Sequence, residues 1–303
     1  MHRLTSPRVM ILGGAGMLGH KLVQQLGPRF PGTVCTVREP ADDPWLGRVP
    51  ILQGEHVFYG IDAMDFDRTA ALIARVRPDV LVNCVGVIKQ RPGAKDAIAS
   101  LTLNALLPHR LAELVAGWGG RLIHFSTDCV FSGRDGNYTE DSVPDATDLY
   151  GRTKLLGEVE ADNALVIRSS IIGRELKHFA SLVDWFLAQA GGKVGGYTRV
   201  LYSGVTTLYM ARLVGDLIAG HPELHGLWQL ASAPIAKHEL LLLLRDAFGV
   251  DVTIEPDDSV VLDRTLDGRR FAAATGIAVP SWPDMVDAMA ADPTPYAQWR
   301  QEP

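Results

Sequence analysis

Residues 8–19 read Arg-Val-Met-Ile-Leu-Gly-Gly-Ala-Gly-Met-Leu-Gly, an apolar run passing directly into Gly13, Gly16 and Gly19 at intervals of three. The run from Val9 to Leu12 has the length and character of a buried strand, and the stretch after the glycines has helical character. Between strand and helix, glycines at this spacing permit a tight turn and let backbone approach a ligand closely. The N–H groups at the start of that helix, which Met17 and Leu18 open, stabilise negative charge such as a pyrophosphate. The competing reading is a turn with no task beyond structure.

Working outward, the runs 9–12, 33–37, 80–85, 121–126 and 165–170 read as strands, and 17–26, 70–76, 101–118 and 150–160 as helices. Strands that are apolar throughout and separated by helices predict a parallel sheet covered on both faces. Residues 1–172 are therefore expected to form an α/β, Rossmann-type doubly wound domain. Beyond Gly173 the rhythm changes. A helix over 179–190, a glycine-rich loop at 191–196, a helix over 206–218, a strand at 226–230, a leucine-rich helix around 240–244 and a strand near Val252 predict a smaller substrate-binding lobe over 173–303. Some of its segments are expected to return to the first domain, and the two lobes to share a cleft. Trp228 and Trp282 are expected to pack within the smaller lobe.

The 303 residues are 47% hydrophobic, enough for one large core or two smaller ones, and the formal net charge of -6 disfavours nucleic acid and anionic membranes as partners. Three cysteines, Cys35, Cys84 and Cys129, are too few for a disulfide framework and lack zinc-site spacing; they fit a reducing cytoplasm. The first residues read as a strand rather than a signal, and 240–244 is far shorter than the roughly 20 apolar residues a membrane span needs. A homodimer is left open.

The second strand ends at Thr36-Val37-Arg38, where an arginine suits a ribose 2′-phosphate and favours NADPH over NADH, although Glu39 follows at once. Asp62 and Ala63, after an apolar stretch at 57–61, are read as the adenine side. At the end of a later strand stand Ser126-Thr127-Asp128-Cys129-Val130-Phe131, followed by Tyr150 and, four residues on, Lys154. That spacing puts phenol and ammonium on one helix face, which is expected to favour the ionised phenol. With the Thr127 hydroxyl holding a carbonyl oxygen, Tyr150 becomes the proton donor for a carbon receiving hydride. An exposed helix pair is the competing reading of Tyr150 and Lys154 taken alone.

The glycine motif, STDCVFSG (126–133), YTEDSVPDATDLYGRTKLLGE (138–158) and LVIRSSIIG (165–173) together resemble the extended short-chain dehydrogenase/reductases, and within them the dTDP-4-dehydrorhamnose reductase group. The segment LDGRRFAAATGIAVPSWPDMV (266–286) is similar to that group's C-terminal part. The resemblance implies an NAD(P)H-dependent reductase of a nucleotide-linked 4-keto-6-deoxy sugar, with Thr127, Tyr150 and Lys154 as the catalytic set and Lys154 also on the nicotinamide ribose. It further implies that Asn83, Cys84, Val85 and Gly86 lie over the cofactor. Ser169, Ser170 and Ile171 would face the nicotinamide, with Asn104 behind the active site.

Cys129 stands where that group usually has an aromatic residue. It is similar instead to GDP-fucose synthases and UDP-rhamnose epimerase/reductases, in which a thiol and a later His or Lys exchange protons beside the ketone. His178 is the partner this implies, and Cys129 as a small core residue is the competing reading. Candidate substrate residues are Lys89, Thr127, Asp128, Cys129, His178, Arg199 and Tyr202, with Gln90, Arg91, Lys193 and Tyr197 as further candidates for a diphosphate. A third reading is a non-catalytic NADP-binding subunit similar to the β subunit of methionine adenosyltransferase. An intact Thr127, Tyr150 and Lys154 set argues against it.

Overall fold

The computed structural model describes residues 6–88 and 96–300. In chain order the first half runs β1 (Val9–Leu12), α1 (Gly19–Arg29), β2 (Val34–Thr36), β3 (Val57–Phe58), α2 (Phe66–Val76), β4 (Val80–Asn83) and α3 (Ala97–Ser100). It continues through a π-helical turn, Leu101–Leu106, into α4 (Leu107–Ala116), then β5 (Arg121–Ser126), α5 (Leu149–Leu156) and β6 (Ala164–Arg168). The second half adds β7 (Ile171–Ile172), α6 (Leu182–Leu187), β8 (Lys193–Tyr197), β9 (Val200–Tyr202), β10 (Val205–Thr206), α7 (Thr207–Gly220) and β11 (Gly226–Gln229). It ends with β12 (Ile235–Ala236), α8 (Lys237–Phe248), β13 (Thr253–Asp257), β14 (Leu262–Asp263), α9 (Arg269–Thr275), α10 (Trp282–Ala290) and α11 (Tyr296–Trp299).

Seven strands form one sheet in the order β11-β6-β5-β4-β1-β2-β3, every pair parallel. Side chains alternate across a strand: Val9 and Ile11 enter one core while Met10 and Leu12 enter the other. Both faces being covered, the strands are apolar at every position, which is why they read as continuous runs. The chain order reverses between β1 and β4, and ligands bind such sheets in the crevice outside the strand ends at that reversal.

β11 comes from the second half and extends the first sheet, pairing Gln229 with Arg168 at the edge. The other late strands form small sheets, β12-β9-β14, β13-β8 and β10-β7. Leu240, Leu241 and Leu244 of α8 are buried in the core, as their helical spacing predicts. Trp228 lies on β11 of the large sheet rather than in the small lobe, its ring edge-on to Phe271. Trp282 is buried beside Tyr202. Among the described residues no helix is long and apolar enough to cross a membrane.

Most helices end within a few residues of the expected bounds, and three of the differences have visible causes. The 101–118 stretch is interrupted by the π turn. The helix expected to reach 160 stops before Gly157, where a methyl group would strike the Asn104 carbonyl. The helix expected from 179 starts at Leu182, because His178 and Phe179 adopt left-handed φ values of 69° and 46°.

Candidate active site

Beyond β1 the chain turns at Gly13, whose φ of 85° suits glycine, and a methyl on Gly19 would collide with the Gly13 carbonyl. The turn is tied to the end of β2. Gly13 N donates to Thr36 Oγ1 at 3.1 Å. Gly14 N donates to the Thr36 carbonyl at 2.8 Å. Helix α1 follows with no side chain capping its N-terminus and no acid in its first turn. Its positive end is thus left for an anion at the wall of a cavity of about 460 Å³, to which Gly16, Met17 and Leu18 contribute.

The same cavity is walled by the ends of β4, β5 and β6 and by the second lobe. Asn83, Cys84, Val85, Gly86, Asn104, Thr127, Asp128, Cys129, Tyr150, Lys154, Ser169, Ser170, Ile171 and Tyr202 all line it. A dinucleotide therefore has a fitting bed: the glycine turn and α1 for its phosphates, and the strand ends for its remainder.

Local folding sets the reactive groups. Thr127 follows β5 and caps the turn Asp128–Val130, its Oγ1 accepting from Cys129 N at 3.1 Å and donating to Asp128 Oδ1 at 3.1 Å. Asp148 caps α5 through Gly151 N at 2.9 Å, and Gly151 abuts the Cys129 carbonyl. This brings the Tyr150 phenol to the same stretch of cavity wall as Thr127, which acts on its titration.

Burial pushes the phenol above its usual range, with the nearby Cys129 thiol and Asp128 adding, while Thr127 opposes. Burial thus opposes the ionised phenol that the spacing with Lys154 led one to expect, and Tyr150 is held as a neutral donor. Lys154 donates to the Phe125 carbonyl at 2.5 Å and lies 3.4 Å from His124 Nε2. Burial lowers its ammonium to about 8, against the pull of Glu158 and Cys84. His124, held well below its usual range by burial and then by Lys154, is neutral, and its Nδ1 is 3.2 Å from Asn83 Nδ2.

Asn104 owes its place to the π turn, a helix distortion often found at functional sites. Its Oδ1 accepts from Val87 N at 2.8 Å, and its Nδ2 donates to Val87 O at 3.0 Å and Thr153 Oγ1 at 3.3 Å. It thereby fastens the segment after β4 to α5.

A model of the RmlD substrate binding domain matches residues 7–187. The chain belongs to this family. Relatives of this RmlD-family chain include methionine adenosyltransferase 2 subunit beta of Mus musculus, 32% identical, the alignment covering 98% of this chain and 91% of that one. A probable dTDP-4,6-dihydroxy-2-methyloxan-3-one 4-ketoreductase of Streptomyces antibioticus is 29% identical over 75% and 72%. Among solved structures, the dTDP-4-dehydrorhamnose reductase of Bacillus anthracis str. Ames in complex with NADP superposes with a TM-score of 0.75 at 19% identity, covering 93% of this chain and 98% of that one.

Not every residue expected at the RmlD-family site lines the cavity. Gly13 and Gly19 shape the turn beneath it. Arg38 is exposed beyond β2, and Asp62 Oδ1 accepts from Met64 N at 2.9 Å in its own turn. Ala63 is buried in the core. His178 and Arg199 are exposed and outside the wall, so Cys129 does not face the expected histidine across the cavity. Lys89, Gln90 and Arg91 lie outside the described residues. Of the other diphosphate candidates, Lys193 is exposed and pairs with Glu255 at 3.3 Å.

Residues the sequence did not single out do line it: Glu175, Lys237 and Arg264. Arg264 donates to the Phe131 carbonyl at 3.0 Å, and its Nη1 is 3.7 Å from Cys129 Sγ. Some 135 residues separate this pair, and only the β9–β14 pairing reveals it.

Proposed function

We propose that the protein is an oxidoreductase that reduces the 4-keto group of a nucleotide-activated 4-keto-6-deoxy sugar with a reduced nicotinamide dinucleotide. One observation carries this reading: the Thr127 and Tyr150 hydroxyls share a cavity with the uncapped start of α1. The chain's likeness to the probable Streptomyces ketoreductase and to the NADP-bound Bacillus reductase supports it.

In this reading Gly16, Met17 and Leu18 hold the pyrophosphate, and Asn83 to Gly86 with Ser169 to Ile171 hold the nicotinamide half. The bound dinucleotide supplies a hydride. Tyr150, and Thr127 once its one hydroxyl proton turns from Asp128 to the ligand, orient the ketone by hydrogen bonds to its oxygen, which places the developing negative charge opposite two donors. Tyr150 gives its proton to that oxygen, and a neutral phenol is the form able to do so. The Lys154 cation, which lines the same cavity, stabilises the phenolate left behind. Tyr202, Lys237 and Arg264 form the wall on the second-lobe side, where the nucleotide carrier would lie.

Two other readings have observations of their own. The relative at 32% identity bears the name of a methionine adenosyltransferase subunit, not of a reductase, which favours dinucleotide binding without turnover. The Arg264 guanidinium beside Cys129 would favour a thiolate, but the exposed His178 leaves epimerisation without its expected second group. The test is purified protein with NADPH and dTDP-, UDP- or GDP-4-keto-6-deoxyhexose. Steady NADPH oxidation with at least one of them is expected, whereas tight NADPH binding with no oxidation of any of them would favour the regulatory reading.

A further inference from the structure

The end of β2 carries two charges of opposite meaning. An acid there accepts hydrogen bonds from the adenosine ribose hydroxyls, while an arginine welcomes a 2′-phosphate. Arg38 and Glu39 are adjacent, two and three residues beyond Thr36, which is bonded to the glycine turn.

The structure separates them. Glu39 Oε1 pairs with the ammonium of Lys177, and the two side chains are 13% and 10% exposed. Glu39 Oε2 is buried with no hydrogen-bond partner among the described residues. Lys177 arrives from the segment between β7 and α6 in the second half of the chain. Its ammonium also lies over the face of Trp45, 3.8 Å from the ring centroid. Asp43 also acts on Lys177, but its Oδ1 is engaged by Trp45 N at 2.9 Å. Arg38 is left exposed.

Resting on the reading of the cavity as a dinucleotide site, we propose that Lys177 is a specificity-determining residue. By withdrawing the Glu39 carboxylate from the strand end, it leaves Arg38 to meet a 2′-phosphate and makes the site one for NADPH. Without Lys177 the buried carboxylate has no counter-charge and turns outward, where it competes for Arg38 and repels the phosphate.

The test uses adenosine fragments, so that it reads binding and not turnover. By calorimetry the wild type is expected to bind 2′,5′-ADP at least about tenfold more tightly than 5′-AMP, one charge-assisted contact being of that size. Lys177→Met should lose about tenfold for 2′,5′-ADP and change less than about threefold for 5′-AMP. The double variant Lys177→Met/Glu39→Gln should recover 2′,5′-ADP binding to within about threefold of wild type, since no carboxylate remains to compete. Equal binding of the two fragments by wild type, unchanged 2′,5′-ADP binding by Lys177→Met, or a double variant as weak as the single one would each overturn the proposal. If wild type binds neither fragment, the dinucleotide reading itself fails, whereas a loss of turnover with fragment binding intact bears on the reduction alone.

Discussion

Tyr150→Phe is expected to lower the rate of ketone reduction by about 10²- to 10⁴-fold, the usual worth of a positioned proton donor. The ring keeps its place at the start of α5, because Asp148 caps that helix through Gly151 N and not through the phenol. Thermal unfolding should therefore stay close to wild type and dinucleotide binding should persist. An unchanged rate would remove Tyr150 from the chemistry. The alkaline limb of the same assay reports on Lys154, whose ammonium is lowered to about 8 by burial. Its cation is present below that pH and lost above it, so the rate should fall above about pH 8. A lysine whose folded value lies below its unfolded one costs less once neutral, so stability contributed by this group rises over that window. The falling limb is then not unfolding, and circular dichroism across the range separates the two.

Glu158→Ala is expected to destabilise the protein by about 3–5 kcal/mol, as removal of one member of a buried ion pair does. Arg168 and Glu158 side chains are 2% and 10% exposed, joined by bonds of 2.9 and 2.6 Å. Ser126 Oγ also donates to Glu158 Oε1 at 2.5 Å, and the guanidinium lies 5.0 Å from the Phe131 ring centroid. Arg168 Nη1 already has no partner among the described residues. Without the carboxylate the guanidinium remains buried and uncompensated beside Ser126, the last residue of β5 before Thr127. Denaturant unfolding should show the loss, and Glu158→Gln, which keeps polar contacts without the charge, should fall between. A loss below about 1 kcal/mol would mean that the pair is screened.

Features with local causes were legible in the sequence. The strand, the glycines and α1 occupy consecutive residues, and Tyr150 and Lys154 are set by helical spacing. Features caused by distant segments were not. Glycine is poor in strands, so 191–196 read as a loop, yet β8 forms there because β13, some 60 residues on, supplies its hydrogen bonds. The π turn that places Asn104 has the same apolar pattern as an ordinary helix. The direction of the Tyr150 shift depended on burial, which residue spacing does not report. Arg264 and Lys177 reach their sites by tertiary packing, and neither sits in a motif.

The most direct measurement follows the hydrogen delivered by the cofactor. In ordinary water, with NADPH deuterated on the transferring face of the nicotinamide 4-position, the sugar product should carry one deuterium at the former ketone carbon and none elsewhere. In D₂O with unlabelled NADPH its ring carbons should carry none. A product lacking the label at that carbon, or one that takes deuterium from solvent at the neighbouring carbons, would contradict a Tyr150-assisted simple reduction.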